Sequence, residues 1–125
     1  MDQRIYITTM FIKGRVEQEL SVDHLARSVN LSRSRFHHLF KAETGMSPAR
    51  YLRTIRMELA KSLLETSFLS VKQIMNSAGF RDRSHFERDF KNHYGLTPTQ
   101  IRLATQQVAA LNYTSAHSIR QTATK

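Results

Sequence analysis

The 125-residue chain contains no cysteine, only two prolines and four glycines, and no apolar run close to a membrane-spanning helix, which needs about 18 residues. Without cysteine it forms neither disulfides nor thiolate metal sites, and it has no cysteine nucleophile. The N-terminus also lacks the basic and apolar segments of a secretory signal. The scarcity of glycine and proline favours helices over a turn-rich all-β fold. We therefore expect a soluble, helical, cytoplasmic protein.

Acidic residues are scarce too. Ten aspartates and glutamates face 19 lysines and arginines, which gives a net charge of +9. Such a charge indicates a polyanionic partner, either nucleic acid or an anionic membrane surface, and an acidic protein also fits. The charge is unevenly distributed: residues 1–32 sum to zero, residues 33–61 carry +5 and residues 72–102 carry +3. The hydrophobic content of 40% suffices for one or two small cores.

The chain contains an internal repeat. Leu20-Ser21-Val22 recurs 49 residues later as Leu69-Ser70-Val71. A longer motif with two phenylalanines, a lysine, a glycine and a hydroxyl residue before proline recurs at an offset of 50: Phe36…Phe40-Lys41…Gly45-x-Ser47-Pro48 and Phe86…Phe90-Lys91…Gly95-x-Thr97-Pro98. Because both prolines and two of the four glycines fall at equivalent places, we infer two similar units.

Residues typical of helix ends divide each unit into helices. Ser32 and Asp82 are candidate N-caps of second helices, and Gly45 and Gly95 stand where those helices end in a left-handed conformation. The periodicity predicts an all-α fold with seven helices, at about 3–18, 22–29, 33–43, 48–66, 71–78, 83–93 and 98–105. From residue 105 to 125 the sequence is polar without a firm period, and we expect a disordered tail.

Each unit matches a helix-turn-helix, in which a short helix, a brief turn and a second amphipathic helix follow one another. The two helix-turn-helix units, at about 20–45 and 69–95, are bridged by the long linker helix at about 48–66. A helix of that length spans about 27 Å, close to the roughly 34 Å between successive major-groove faces along DNA. One monomer can thus place both second helices in adjacent grooves.

The second helices present polar side chains opposite their phenylalanines, and these are the candidates for contact with DNA bases. They are Arg33, Ser34, His37 and His38 in the first unit, and Arg83, Ser84, Glu87 and Arg88 in the second. A polar face of this kind also occurs on any surface helix, but the repeat, the helix-end residues and the location of the charge favour DNA. Since the two faces differ, we expect sequence-specific recognition.

Basic and hydroxyl residues near those faces are candidates for contact with DNA phosphates: Ser32, Lys41, Arg50, Arg53 and Lys91. Arg56 lies on the same predicted linker helix. For the three linker arginines, phosphate contact and a merely solvated basic face both remain open.

The longest pattern in the chain runs through the linker helix and the second unit: Pro48-x-x-Tyr51-Leu52-x-x-x-Arg56-Met57-x-x-Ala60-x-x-Leu63-Leu64-x-x-Ser67-x-Leu69-Ser70-Val71-x-x-Ile74…Gly79-Phe80-x-Asp82-x-Ser84-x-Phe86-x-Arg88-x-Phe90-Lys91…Gly95-x-Thr97-Pro98-x-x-Ile101-Arg102. It resembles the AraC/XylS-type bacterial transcription regulators, and the first unit resembles their first helix-turn-helix. The resemblance covers roughly residues 5–102 and implies a DNA-binding domain at 1–104. The family's base-reading positions correspond to the eight candidates given above.

The resemblance also implies the partners. They are double-stranded DNA and RNA polymerase, with the domain bound as a monomer in the nucleoid and the result usually activation of transcription. Members often carry an N-terminal effector-binding or dimerisation domain, which nothing in this chain resembles. The chain is therefore either a small stand-alone regulator or an excerpt of a longer protein.

Two other function classes compete with a sequence-specific regulator. An enzyme is disfavoured because His37 and His38 are adjacent and cannot face one site on a helix, and because metalloprotease, phosphate-loop and serine-elbow motifs are absent. We expect no metal and no cofactor. A sequence-independent basic architectural DNA-binding protein, or a membrane-surface helix protein, would also use a basic face.

Overall fold

A computed structural model of the protein describes the backbone of residues 1–123 and the side chains of residues 1–114. This part of the chain consists of seven helices without strands: α1 (Gln3–Lys13), α2 (Val22–Ser28), α3 (Arg33–Thr44), α4 (Pro48–Thr66), α5 (Val71–Ser77), α6 (Arg83–Tyr94) and α7 (Pro98–Ala123). The predicted all-α fold is confirmed, with α2–α3 and α5–α6 as the helix-turn-helix units and α4 as the linker helix.

Side-chain caps begin the helices and left-handed glycines end the two equivalent ones. Ser70 and Gln73 form a complete capping box, with N–H···O distances of 3.1 and 2.8 Å in the two directions. Gly45 and Gly95 have φ angles of +80° and +79° after α3 and α6. These signals act within a few residues, and the helices of the two units therefore begin and end within one residue of the predicted positions.

The first helix is shorter than predicted. It ends at Lys13 rather than near residue 18, with Gly14 as its C-cap and the Gly14 N–H donating to the Met10 carbonyl at 3.2 Å. Glycine is a poor helix former, and the chain turns here so that Val16, which is only 6% exposed, packs inside the protein.

The last helix is longer than predicted, and the expectation of a disordered tail from residue 105 is wrong up to Ala123. The helix α7 continues from Pro98 to Ala123, while residues 124–125 lie outside the described part of the chain. No glycine or proline follows Pro98, and alanine, leucine and glutamine are good helix formers. Although α7 has 26 residues, no helix in the described part of the chain is apolar enough to cross a membrane.

Two hydrophobic cores lie on either side of the middle of α4. The first takes Leu52 from α4 and packs it with residues of α1 to α3, and the second takes Met57, Ala60 and Leu64 from α4 and packs them with residues of α5 to α7. Each core contains an equivalent pair of phenylalanines. The ring centroids are 5.6 Å apart in Phe36–Phe40 and 5.7 Å apart in Phe86–Phe90. The repeat in the sequence is thus a repeat of cores.

The side chain of Arg102 fastens α7 to the end of α4. Its guanidinium donates to the carbonyls of Leu63, Leu64, Ser67 and Leu69, three of them at 3.2–3.3 Å. The last carbonyls of a helix lack a partner in the following turn, and Arg102 donates both to two carbonyls at the end of α4 and to two in the loop that follows it. Arg102 is therefore an architectural residue.

The burial of Phe86 predicts the cost of truncating it. Phe86 is 1% exposed in the second core, whereas Phe68, in the loop after α4, is fully exposed. Phe86→Ala should lower the free energy of unfolding by about 3–5 kcal/mol because it leaves a cavity. Urea denaturation measures this change, with Phe68→Ala as the matched control that should stay near wild type. Equal stability of the two variants would contradict the assignment of Phe86 to the core.

Candidate nucleic-acid interface

The second helices of the two units, α3 and α6, carry the predicted base-contacting residues, and we refer to them as the recognition helices. On α3 these residues are exposed: Arg33, Ser34, His37 and His38. On α6 they are exposed except for Glu87, which is half-buried: Arg83, Ser84, Glu87 and Arg88. Phe36 and Phe86 anchor the opposite faces at 0% and 1% exposure. Each recognition helix is thus held by its apolar side and presents a polar side to solvent.

In the first unit, the recognition arginine is paired with the preceding helix. Arg33 Nε lies 3.5 Å from Asp23 Oδ1 of α2, and both side chains are at least half exposed. Ser32 caps the same end of α3, where its Oγ accepts from the Arg35 N–H at 3.2 Å. An exposed pair of this kind contributes little to stability. Its effect is to hold the guanidinium at the start of the recognition helix.

In the second unit, the equivalent arginine pairs within its own helix. Arg83 Nε donates to Glu87 Oε1 at 3.1 Å, one turn further along α6. Glu87 is therefore already engaged, and a cytosine amino group would compete with Arg83 for it. The nearest carboxylate to Arg88 is that of Asp89, at 3.9 Å from Nε. The two recognition helices thus differ in how their arginines are held as well as in composition.

The carboxylate of Asp82 caps the start of α6. Its Oδ1 accepts from the His85 N–H at 2.8 Å, and this hydrogen bond holds the pKa of Asp82 below its usual value. Loss of solvation opposes this lowering of the pKa, while the charges of His85 and Arg88 add to it. The carboxylate form is the one that stabilises the first turn of the second recognition helix.

The predicted phosphate contacts lie on the surface in two places. Lys41 and Lys91 are exposed near the ends of the recognition helices. Arg50 and Arg53, also exposed, line an open cleft between α4 and the C-terminal half of α6. Residues of α6 complete the lining: Asp89, Asn92 and His93.

Arg56 contacts the backbone of another segment and is not part of a solvated basic face. It is half-buried, and its guanidinium donates to the carbonyl of Val16 from Nε at 2.9 Å and to that of Gln18 from Nη2 at 2.7 Å. The carbonyls belong to a segment about 40 residues earlier in the chain. The spacing of arginines along α4 carries no signal of this contact.

Comparison with known proteins identifies the architecture. A family model described as a helix-turn-helix domain matches residues 25–104. The chain belongs to the AraC/XylS family. Among solved structures, it is similar to an AraC-type transcriptional regulator from Chromobacterium violaceum, with 30% identity, a TM-score of 0.76 and coverage of 83% of this chain and 93% of that one. The DNA-binding domain of AdpA, solved in complex with a target DNA, has 28% identity, a TM-score of 0.80 and coverage of 83% and 94%.

Curated relatives of this AraC/XylS-family chain are longer proteins. The Msm operon regulatory protein of Streptococcus mutans is 36% identical over 76% of this chain, and the lactose operon transcription activator of Staphylococcus xylosus is 33% identical over 74%. The matches cover 34% and 33% of those proteins, so the chain spans about a third of their length. Membership in this family confirms that the domain is a DNA-binding module and not an enzyme.

The depressed pKa of Asp82 predicts a pH dependence of stability. A carboxyl with a lowered pKa stabilises the fold above its unfolded-state pKa, near 3.8, and this contribution is lost as the pH falls through the folded-state value. Asp82→Ser keeps a cap but removes the titration. The stability advantage of wild type over this variant should therefore shrink in acid.

Unfolding measured between neutral pH and about pH 3, together with an NMR titration of the Asp82 carboxyl, checks this expectation. A stability difference that stays constant over this range, or an Asp82 pKa at or above the usual value, would contradict it.

Proposed function

We propose that this domain binds double-stranded DNA sequence-specifically, with α3 and α6 in adjacent major grooves on one side of the duplex. One observation carries the proposal: two equivalent helices with different exposed polar faces belong to two units that are joined by a single 19-residue helix. A helix of that length spans about 28 Å, close to the roughly 34 Å repeat of the major groove. A purely electrostatic binder has no need of two different faces.

The eight exposed or half-exposed residues of the recognition helices are the proposed base contacts. Arginine is suited to the O6 and N7 of guanine, and serine and histidine can donate or accept. In α6, Glu87 holds the guanidinium of Arg83. A base acceptor such as guanine O6 or N7 would therefore compete with Glu87 for the Arg83 donors. The proposed phosphate contacts are Ser32, Lys41, Arg50, Arg53 and Lys91.

For the whole protein, we propose the role of a transcription regulator that activates transcription. The support is the similarity to the lactose operon transcription activator. An activator of this kind works beside RNA polymerase on the bacterial nucleoid in the cytoplasm. The two units within one chain allow the domain to occupy its site as a monomer, and dimerisation or effector binding would belong to a further domain.

Selection of bound duplexes from a random library, followed by footprinting of the selected sequence, tests the proposal directly. The expected site contains two protected patches about one helical turn apart on one face of the DNA. Competition at roughly 0.15 M salt, where nonspecific binding is weak, then compares the selected duplex with a scrambled one. Equal displacement by the two duplexes would instead support the architectural alternative.

Arg88→Ala tests base contact in the second unit. If Arg88 makes a bidentate contact with one guanine, the variant should lose about 1–3 kcal/mol of binding free energy on the selected site. On a duplex with that single base pair changed, wild type and variant should bind equally. A loss of the same size on every duplex would reassign Arg88 to a phosphate.

Lys91→Gln tests phosphate contact at the other end of the same helix. The loss of one ion contact should weaken binding to all duplexes alike and lower the slope of log K against log salt by about 0.9. Lys72→Gln is the matched control, because Lys72 is exposed on α5 and is not a proposed contact. A slope that falls equally in both variants would mean that Lys91 acts only through net charge.

A further inference from the structure

The two units also meet at a contact beside α4. On one side is the segment 15–21, which joins α1 to α2, and on the other is the turn between α5 and α6. Arg56 projects from the middle of α4 into this contact. We call the contact the clasp, and it comprises Val16, Gln18, Glu19, Arg56, Gly79 and Arg81.

Arg56 is the centre of the clasp. Its planar guanidinium reaches two carbonyls of one backbone segment, those of Val16 at 2.9 Å and Gln18 at 2.7 Å. Burial lowers the pKa of Arg56, and the charge of Arg81 lowers it further while that of Glu19 raises it. Hydrogen bonds to a charged donor are stronger than neutral ones. A lysine carries its charge on one nitrogen, so it does not reproduce the two-nitrogen donation by which the guanidinium holds both carbonyls.

The turn between α5 and α6 packs so closely against segment 15–21 that a side chain at Gly79 would not fit. Gly79, in the turn between α5 and α6, has a φ of +86°. A Cβ built there would lie 2.3 Å from the Val16 carbonyl oxygen and 2.8 Å from Arg56 Nε. Only glycine lets the turn of the second unit pack against both Arg56 and the segment that Arg56 holds.

An exposed ion pair lies at the rim of the clasp. Arg81 Nε, on the second unit, is 3.2 Å from Glu19 Oε1, and both side chains are more than two-thirds exposed. Such a pair adds little free energy. It does join the same two segments that Arg56 and Gly79 bring together, so three separate contacts converge on one place.

We propose that Arg56 is a positioning residue which sets the orientation of the second helix-turn-helix relative to the first. By holding segment 15–21 against the middle of α4, it forms the surface on which the α5–α6 turn rests, and it thereby fixes the spacing of the two recognition helices. The consequence for DNA rests on the proposed function: with the spacing fixed, binding of one unit brings the other to its groove at high effective concentration.

The orientation is measurable without DNA. Because the chain lacks cysteine, Ala42→Cys on α3 and Lys72→Cys on α5, both at exposed positions, give two unique spin-label sites in the full chain. Double electron–electron resonance measures the distance between the two spin labels. The distribution of this distance should be narrow for the otherwise wild-type chain and broader or displaced for Arg56→Gln. Lys13→Gln, which removes one exposed positive charge from α1, should leave the distribution unchanged.

Circular dichroism and thermal unfolding show whether each variant is folded. If Arg56→Gln is not folded, the same measurement on Arg56→Lys, which retains the charge, decides the question. A folded Arg56 variant with the wild-type distance distribution would overturn the proposal.

The consequence for binding separates positioning from direct contact. On the selected site with both half-sites, Arg56→Gln should bind roughly 10-fold or more weakly than wild type, because the second contact is no longer pre-aligned. On duplexes with one half-site scrambled, variant and wild type should agree within about twofold. An equal loss on full and half-sites would instead make Arg56 a DNA contact.

The two proposals fail in different ways. If wild type shows no preference for any selected duplex while Arg56→Gln still broadens the distance distribution, the proposed function fails and the positioning role of Arg56 stands. If wild type binds its site specifically and the distance distribution of Arg56→Gln equals that of wild type, only the positioning role fails.

Discussion

Sharing of one helix by two hydrophobic cores is the constraint on which the rest of this structure depends. Leu52 belongs to the core of the first unit, and five residues later Met57 belongs to the core of the second. Neither unit can rotate about α4 without exposing apolar side chains of its own core, which costs about 25 cal/mol for each Å² exposed. Packing on α4 therefore limits how far the two units can rotate, and within those limits the proposed role of Arg56 is to set the orientation of the recognition helices.

Local signals explain why the sequence predicts most of the fold. Ser70 with Gln73, and Gly45 and Gly95 at the ends of the equivalent helices, act within one turn of backbone and are therefore visible in the sequence. The polar faces of the recognition helices follow from the same periodicity that buries Phe36 and Phe86. The two errors, at the ends of α1 and α7, fall where helix propensity competes with weak or missing caps.

Long-range contacts explain what the sequence does not predict. Arg50, Arg53 and Arg56 are spaced alike along α4, so their spacing does not separate the two exposed side chains from the one that binds Val16 and Gln18. The AraC/XylS-type pattern includes Arg56 and neither of the other two, but it does not indicate what Arg56 contacts. The acceptors are backbone carbonyls, which every residue possesses, so the partner segment has no distinguishing composition. The contacts of Arg102 are equally hard to predict, because its acceptors are backbone carbonyls at the end of α4 and in the loop after it.

These two arginines change what the charge of the chain means. A net charge of +9 invites the inference that each excess cation is available to phosphate, yet Arg56 and Arg102 donate to backbone and hold the architecture. Arg33 and Arg83 are meanwhile paired with carboxylates at the recognition faces. DNA would have to displace or share those pairs, so the counterions released on binding follow from the exposed, unengaged cations rather than from net charge. The cations of this fold thus fall into three groups: those that bind backbone carbonyls, those that pair with carboxylates, and those that are exposed and free to meet phosphate. The contacts of each side chain, and not its charge alone, decide to which group it belongs.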